Sequence, residues 1–140
     1  MITHRVLIDT GPLVAVFSRR DASHQTCVEQ LRQLPVPLIT CLPVITEAVW
    51  LLKDSPIAVQ KLLHECCNGL LEIQPINNDA MRWIAEFMQQ YGSLNVQFAD
   101  ACLAYLAEVN GIESVFTLDR RDFSVFRLSG NRALQLLPTL

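Results

Sequence analysis

The brevity of the strand-like runs constrains this chain more than any other feature. Arg5-Val-Leu-Ile-Asp9, Pro37-Leu-Ile-Thr40, Leu71 to Pro75 and Ser114 to Leu118 are four or five residues each, rich in apolar and β-branched side chains. The first and the last of these read as buried strands, Pro37 to Thr40 as a second short strand, and Leu71 to Pro75 as strand-like. The stretches between them carry helical periodicity. Thr10-Gly11-Pro12 opens a helix with Pro12 at the first helical position, and Ser23 caps a second helix through Leu31. Further helices are expected from about Pro43 to Lys53, Ile57 to Cys67, Asn78 to Tyr91 and Val96 to Asn110, two of them ending at Asn-Gly pairs. A short turn around Asp122-Phe123 and a last strand from Ala133 to Leu137 complete the chain. Strands alternating with helices give an α/β fold, with a mainly parallel sheet of four to five short strands flanked by helices.

A chain of 140 residues suits one domain over residues 1–140, with 51% hydrophobic and 18% charged residues. That composition excludes disorder, and its apolar surplus suggests surface covered by a partner or a second copy. The most apolar stretch, Val6 to Phe17, is broken by Asp9 and Gly11-Pro12 and is too short to span a bilayer. It lacks a signal-peptide cleavage pattern, so the expected location is the cytoplasm, with no membrane partner. Five cysteines with no C-x-x-C pair read as reduced, mostly buried thiols rather than a disulfide framework or zinc site.

Four acids occupy telling places. In open parallel sheets, ligands bind beyond the carboxyl ends of the strands. Asp9 ends the first strand and Asp119 follows the fourth, so both belong to that edge. Glu47 and Asp100 lie instead on helix faces that are otherwise apolar. Val96, Ala99, Leu103 and Ala107 form the stripe beside Asp100, and Val44, Ala48 and Leu51 the one beside Glu47. Singly, each acid has a structural explanation. Asp9 and Asp119 can cap the elements that follow them, Asp100 can accept bonds at its own helix start, and Glu47 can pair or face water. Jointly, four carboxylates at one end of one sheet call for a cation, because a carboxylate on an apolar face is costly without one. Oxygen ligands alone suit Mg²⁺ or Mn²⁺, as one or two ions, and paired ions of this kind serve phosphodiester hydrolysis.

Val6-Leu-Ile-Asp9-Thr10-Gly11-Pro12-Leu13 resembles the opening strand and turn of PIN-domain nucleases, especially VapC-type ribonuclease toxins of toxin–antitoxin pairs. The similarity continues through Arg20-Asp21-x-x-His24, Thr46-Glu47-Ala48, Phe98-Ala99-Asp100-Ala101 and Phe116-Thr117-Leu118-Asp119-Arg120-Arg121-Asp122-Phe123. The resemblance implies a PIN-like fold and a metal-dependent endoribonuclease whose ion is held by Asp9, Glu47, Asp100 and Asp119. It further implies that Thr10 and Thr117 support Asp9 and Asp119, with Asp122 as an additional acid or a helix cap. RNA as substrate, a cognate antitoxin and a homodimer are implied as partners.

Net charge is −3, yet Arg19, Arg20, Arg120, Arg121, Arg127 and Arg132 cluster after the first and fourth strands and near the C-terminus. Of these, Arg19, Arg20, Arg120 and Arg121 are the candidate RNA contacts, since guanidinium forks suit phosphate. Trp50, Trp83, Phe87 and Tyr91 are better explained by core or interface packing, and His24 by a helix-surface or capping role. An aspartic protease shares the hydrophobic-Asp-Thr-Gly motif but is an all-β fold with glycine-rich flaps, which five glycines and several long helices exclude. A phospho-accepting receiver domain needs an acidic pair after the first strand, absent here. A non-catalytic PIN-like RNA-binding or scaffold protein is the remaining alternative.

Overall fold

A computed structural model describes residues 4–139. Its centre is a five-stranded sheet, every neighbouring pair parallel. The strands are β1 (Val6–Ile8), β2 (Leu38–Thr40), β3 (Leu71–Ile73), β4 (Ser114–Phe116) and β7 (Gln135–Leu137), in the spatial order β3-β2-β1-β4-β7. The middle strand β1 and its two neighbours, β2 and β4, are buried along their whole length. This accounts for their lack of alternation, since helices cover both faces.

The helices are α1 (Thr10–Phe17), α2 (His24–Leu31), α3 (Leu42–Leu51), α4 (Pro56–Glu65), α5 (Ala80–Gln90), α6 (Phe98–Asn110) and the single turn α7 (Arg120–Phe123). Gly111 closes α6 in the left-handed region at φ 63°, where a Cβ would be strained, as its sequence position predicts. Three expectations need correction. Helix α1 begins at Thr10, so Pro12 is its third residue; all of that first turn's N–H groups lack helical partners, and proline costs nothing there. Ser23 stands at the N-cap position of α2 but its hydroxyl makes no cap; Asp21 instead accepts from the Ser23 N–H at 2.8 Å. The single last strand divides into β6 (Arg132–Ala133), antiparallel to β5 (Arg127–Leu128) across a turn at Gly130 with φ 70°, and β7, which joins the main sheet.

Phe123 and Phe126, both fully buried, form an aromatic cluster with Phe87 of α5 and Tyr91, the residue that caps it, at centroid distances near 5 Å. The Tyr91 hydroxyl accepts from the Arg127 N–H at 2.9 Å. Trp83 stacks on Phe87, whereas Trp50 is two-thirds exposed beneath the Lys53 ammonium, so the first packs within the fold and the second lies outside the core. The His24 ring bonds the Ala15 carbonyl, joining α2 to α1. All five cysteines are free thiols, three of them buried. No helix among the described residues is long and apolar enough to cross a membrane.

Candidate acidic centre at the carboxyl edge of the sheet

Residues Ile8, Thr40, Ile73 and Phe116 lie level across the sheet, so the chain leaves four strands along one line. Asp9 is the first residue past β1 and the N-cap of α1, held by its own N–H to the Phe116 carbonyl at 3.0 Å. Its carboxylate accepts from the Thr10 N–H and from the Thr117 hydroxyl, both at 2.8 Å. Thr117 in turn accepts from the Asp119 N–H at 2.9 Å. One buried hydroxyl therefore ties the two strand-end acids together, and Thr117 serves Asp9 by its proton and Asp119 by its lone pair. Asp119 caps α7, accepting from the Asp122 N–H at 3.3 Å. Asp122 thus contributes its backbone, while the capping carboxylate belongs to Asp119.

The helix-borne pair approaches from the other side. Glu47, half-buried on α3, accepts from the Thr10 hydroxyl at 3.5 Å. Thr10 thereby serves Asp9 through its N–H and Glu47 through its hydroxyl. Asp100, in the first turn of α6, accepts from the Gln97 N–H at 3.1 Å and is only 8% exposed. Ala99, Leu103 and Ala107 beside it are buried as predicted; of the residues flanking Glu47, Val44 and Ala48 are buried but Leu51 points outward.

Every structural role foreseen for the strand-end acids and for Asp100 is therefore realised, yet none removes the charge. Burial pushes the Asp9 carboxyl up to about 6, opposed by its two hydrogen bonds and reinforced by Asp119 and Glu47. Burial likewise raises Asp100 to about 7, with Asp9, Asp119 and Glu47 adding repulsion. Among the described residues the ion pairs are Arg32–Glu29 and Arg132–Glu108, neither of which touches these acids. Also among the described residues, no three His, Cys, Asp or Glu side chains converge closely enough to hold an ion as they stand. The four acids share an electrostatic field rather than direct contact. Their chemistry nonetheless fits a hard divalent cation: all donors are oxygen, two are buried against their charge, and the hydrogen bonds found occupy only part of each carboxylate's accepting capacity.

The candidate arginines divide by location. Arg120 and Arg121 directly follow Asp119; Arg120 donates to the Pro138 carbonyl at 2.5 Å and is half-buried, while Arg121 is exposed. Arg19 and Arg20 are exposed beyond the far end of α1, beside Leu51, Ile57 and Lys61 and a helix length from Asp9.

A family model, PIN domain, matches residues 6–127. A curated relative, ribonuclease VapC26 of Mycobacterium tuberculosis, is 26% identical over 138 residues, covering 95% of this chain and the whole of that protein. Among solved structures, Mycobacterium tuberculosis VapC20, described as a Sarcin-Ricin loop cleaving toxin, aligns with a TM-score of 0.76 at 18% identity, over 83% of this chain and 91% of the other. VapBC2 from Rickettsia felis, bound to a DNA fragment from its promoter, aligns at 0.64 and 14% identity, over 95% and 98%.

Proposed function

Because the chain belongs to the PIN-domain family, we propose that it is a Mg²⁺- or Mn²⁺-dependent endoribonuclease, acting in the cytoplasm as the toxin of a VapBC-type pair. The observation that carries this reading is the pair of buried carboxylates, Asp9 and Asp100, raised to about 6 and about 7 at the sheet edge with no protein cation among the described residues to meet them. Asp9, Glu47, Asp100 and Asp119 would hold one or two ions. When bound, such ions supply an activated water and stabilise the leaving oxygen of the phosphodiester.

The chain's own contribution is positioning. Thr117 fixes Asp9 relative to Asp119, Thr10 links Asp9 to Glu47, and the first turn of α6 orients Asp100. Asp122 acts through the backbone bond that holds Asp119 in place. Arg121, and Arg120 more weakly because of its bond to Pro138, supply positive charge for the RNA strand next to the acids. Arg19 and Arg20 would contact more distant phosphates. The names of the relatives, a ribonuclease and a toxin that cleaves an RNA loop, support RNA as substrate, and the VapBC2 assembly supports an antitoxin partner. The exposed apolar residues of α3 and α4, including Trp50 and Ile57, support a homodimer or a covering partner.

The open spacing of the acids favours one rival, a non-catalytic PIN-like protein that binds RNA without cutting it. One experiment separates the two readings. Cellular RNA is incubated with wild type and Asp100→Asn protein, with Mn²⁺ or with chelator, and the new ends are mapped. Cleavage by wild type alone, abolished by chelation, is expected; equal cleavage by Asp100→Asn would overturn the assignment. For the toxin role, expression should arrest growth and a neighbouring small open reading frame should restore it.

A further inference from the structure

A groove of about 340 Å³ opens on the same edge of the sheet as the acids. It lies between the N-termini of α3 and α6 and the segment after β3, and is walled by Leu42, Pro43, Ile76, Met81 and Phe98, with Gln74 also in its lining. Leu42, Met81 and Phe98 are each 39% exposed or more, so the wall faces solvent. We propose that this groove receives one unstacked base of the RNA strand, against the Phe98 ring and the Gln74 carboxamide, and so sets which sequence is cut; the proposal rests on the ribonuclease reading above.

Three observations favour a base over other occupants. The first is place. Gln74 follows β3 at the level where Asp9 follows β1, two strands away, or about 10 Å at the ~4.8 Å strand spacing. That is about three nucleotides at the ~3.4 Å stacked rise, and fewer along an extended strand. The groove walls also begin the two helices that carry Glu47 and Asp100. A strand with its phosphate at the acids therefore has neighbouring bases within reach of the groove. The second is chemistry. Sequence-selective reading of RNA uses splayed bases stacked on aromatic rings and bonded at their edges. Phe98 offers the ring. Gln74 donates to Glu72, which uses one of its roughly four hydrogen-bonding positions and leaves others for a base edge. The third is size. The volume lies at the lower end of small-ligand sites, roughly 300 to 1,000 Å³, the scale of a single base.

The test uses full-length protein and a randomised single-stranded RNA pool with Mn²⁺. Wild type, Phe98→Leu, Phe98→Trp and Gln74→Ala are compared by sequencing the cleaved ends. Phe98→Leu keeps an apolar side chain and removes the stacking face. Wild type is expected to show a base preference within three nucleotides of the cut. Phe98→Leu should flatten it about tenfold, as the loss of one stacked base predicts. Phe98→Trp should retain it, and Gln74→Ala should change which base is preferred. An unaltered preference in Phe98→Leu and Gln74→Ala would overturn the proposal. So would sedimentation showing a wild-type dimer that Leu42→Arg dissociates, since the groove would then be covered by a second copy. Binding of the same pool to Asp100→Asn protein makes the result independent of catalysis: a drop of fivefold or more on adding Phe98→Leu supports the base site even if wild type cuts nothing, and no drop refutes it.

Discussion

Replacing Asp100 by Asn should strengthen the fold while removing the activity, and the magnitude follows from the burial of the carboxyl. Its rise from 3.8 to about 7 means that the folded protein binds this proton more tightly than the unfolded chain. At ~1.4 kcal/mol per pH unit, holding it charged at pH 8 costs about 4 kcal/mol of stability. The cost is fully present above about pH 7 and is relieved as the pH falls towards 4. Asn keeps an acceptor for the Gln97 N–H and loses only the charge. Part of the repulsion is shared with Asp9, so the gain expected in chelator at pH 8 is ~2–4 kcal/mol, or a Tm higher by about 6–12 °C for a domain of this size. At pH 4.5 the gain should shrink to about 1 kcal/mol, because wild type is then largely protonated at this position. Urea unfolding followed by circular dichroism, at fixed protein concentration and at both pH values, measures it. A variant that is less stable at pH 8, or equally stabilised at both pH values, would refute the reasoning.

Mg²⁺ or Mn²⁺ should raise the Tm of wild type, by ~2.7 kcal/mol of stability at one hundred times Kd, and should do so far less for Asp9→Asn; equal gains in the two proteins would place the ion elsewhere. Thr117→Val removes the donor to Asp9 and the acceptor for Asp119 together, and should cost ~1–3 kcal/mol in chelator and lower kcat at least tenfold, read by unfolding and single-turnover cleavage. Arg121→Ala should raise KM and reduce its salt dependence, while Arg19→Ala, a helix length from Asp9, should change both less; the opposite ranking would move the RNA path to the far end of α1. Tyr91→Phe loses one bond to the Arg127 N–H and should cost about 1 kcal/mol with cleavage intact.

The parallel sheet was legible because its inner strands β1, β2 and β4 are short and largely apolar, and the family pattern carried the order of the acids. Asp9 and Asp119 were legible as edge residues, since a strand's last residue has a determined place in a parallel sheet. What the sequence concealed lies in contacts between distant segments. Nothing local indicates that the Thr117 hydroxyl crosses to Asp9, or that Arg120 turns aside to the Pro138 carbonyl. Leu51 followed the helical stripe in phase but faces outward, since phase identifies a face and not what covers it. The β5–β6 hairpin was hidden because its strands are two residues each and largely polar, with a turn at Gly130 set by backbone conformation. The groove at Phe98 escaped notice because its walls come from four separate stretches of chain.

The bond between Thr117 and Asp9 joins residues 108 positions apart. At a synthesis rate of roughly 5–20 residues per second, Asp9 leaves the ribosome about 5–20 s before the residue that orients it exists. Through that interval β1, the middle strand of the sheet, lacks β4, its neighbour on one side. The edge that carries the four acids is thus completed only after most of the chain has been made. The same delay leaves the Val6–Ile8 segment without its cover, and this is where a chaperone or premature association would act.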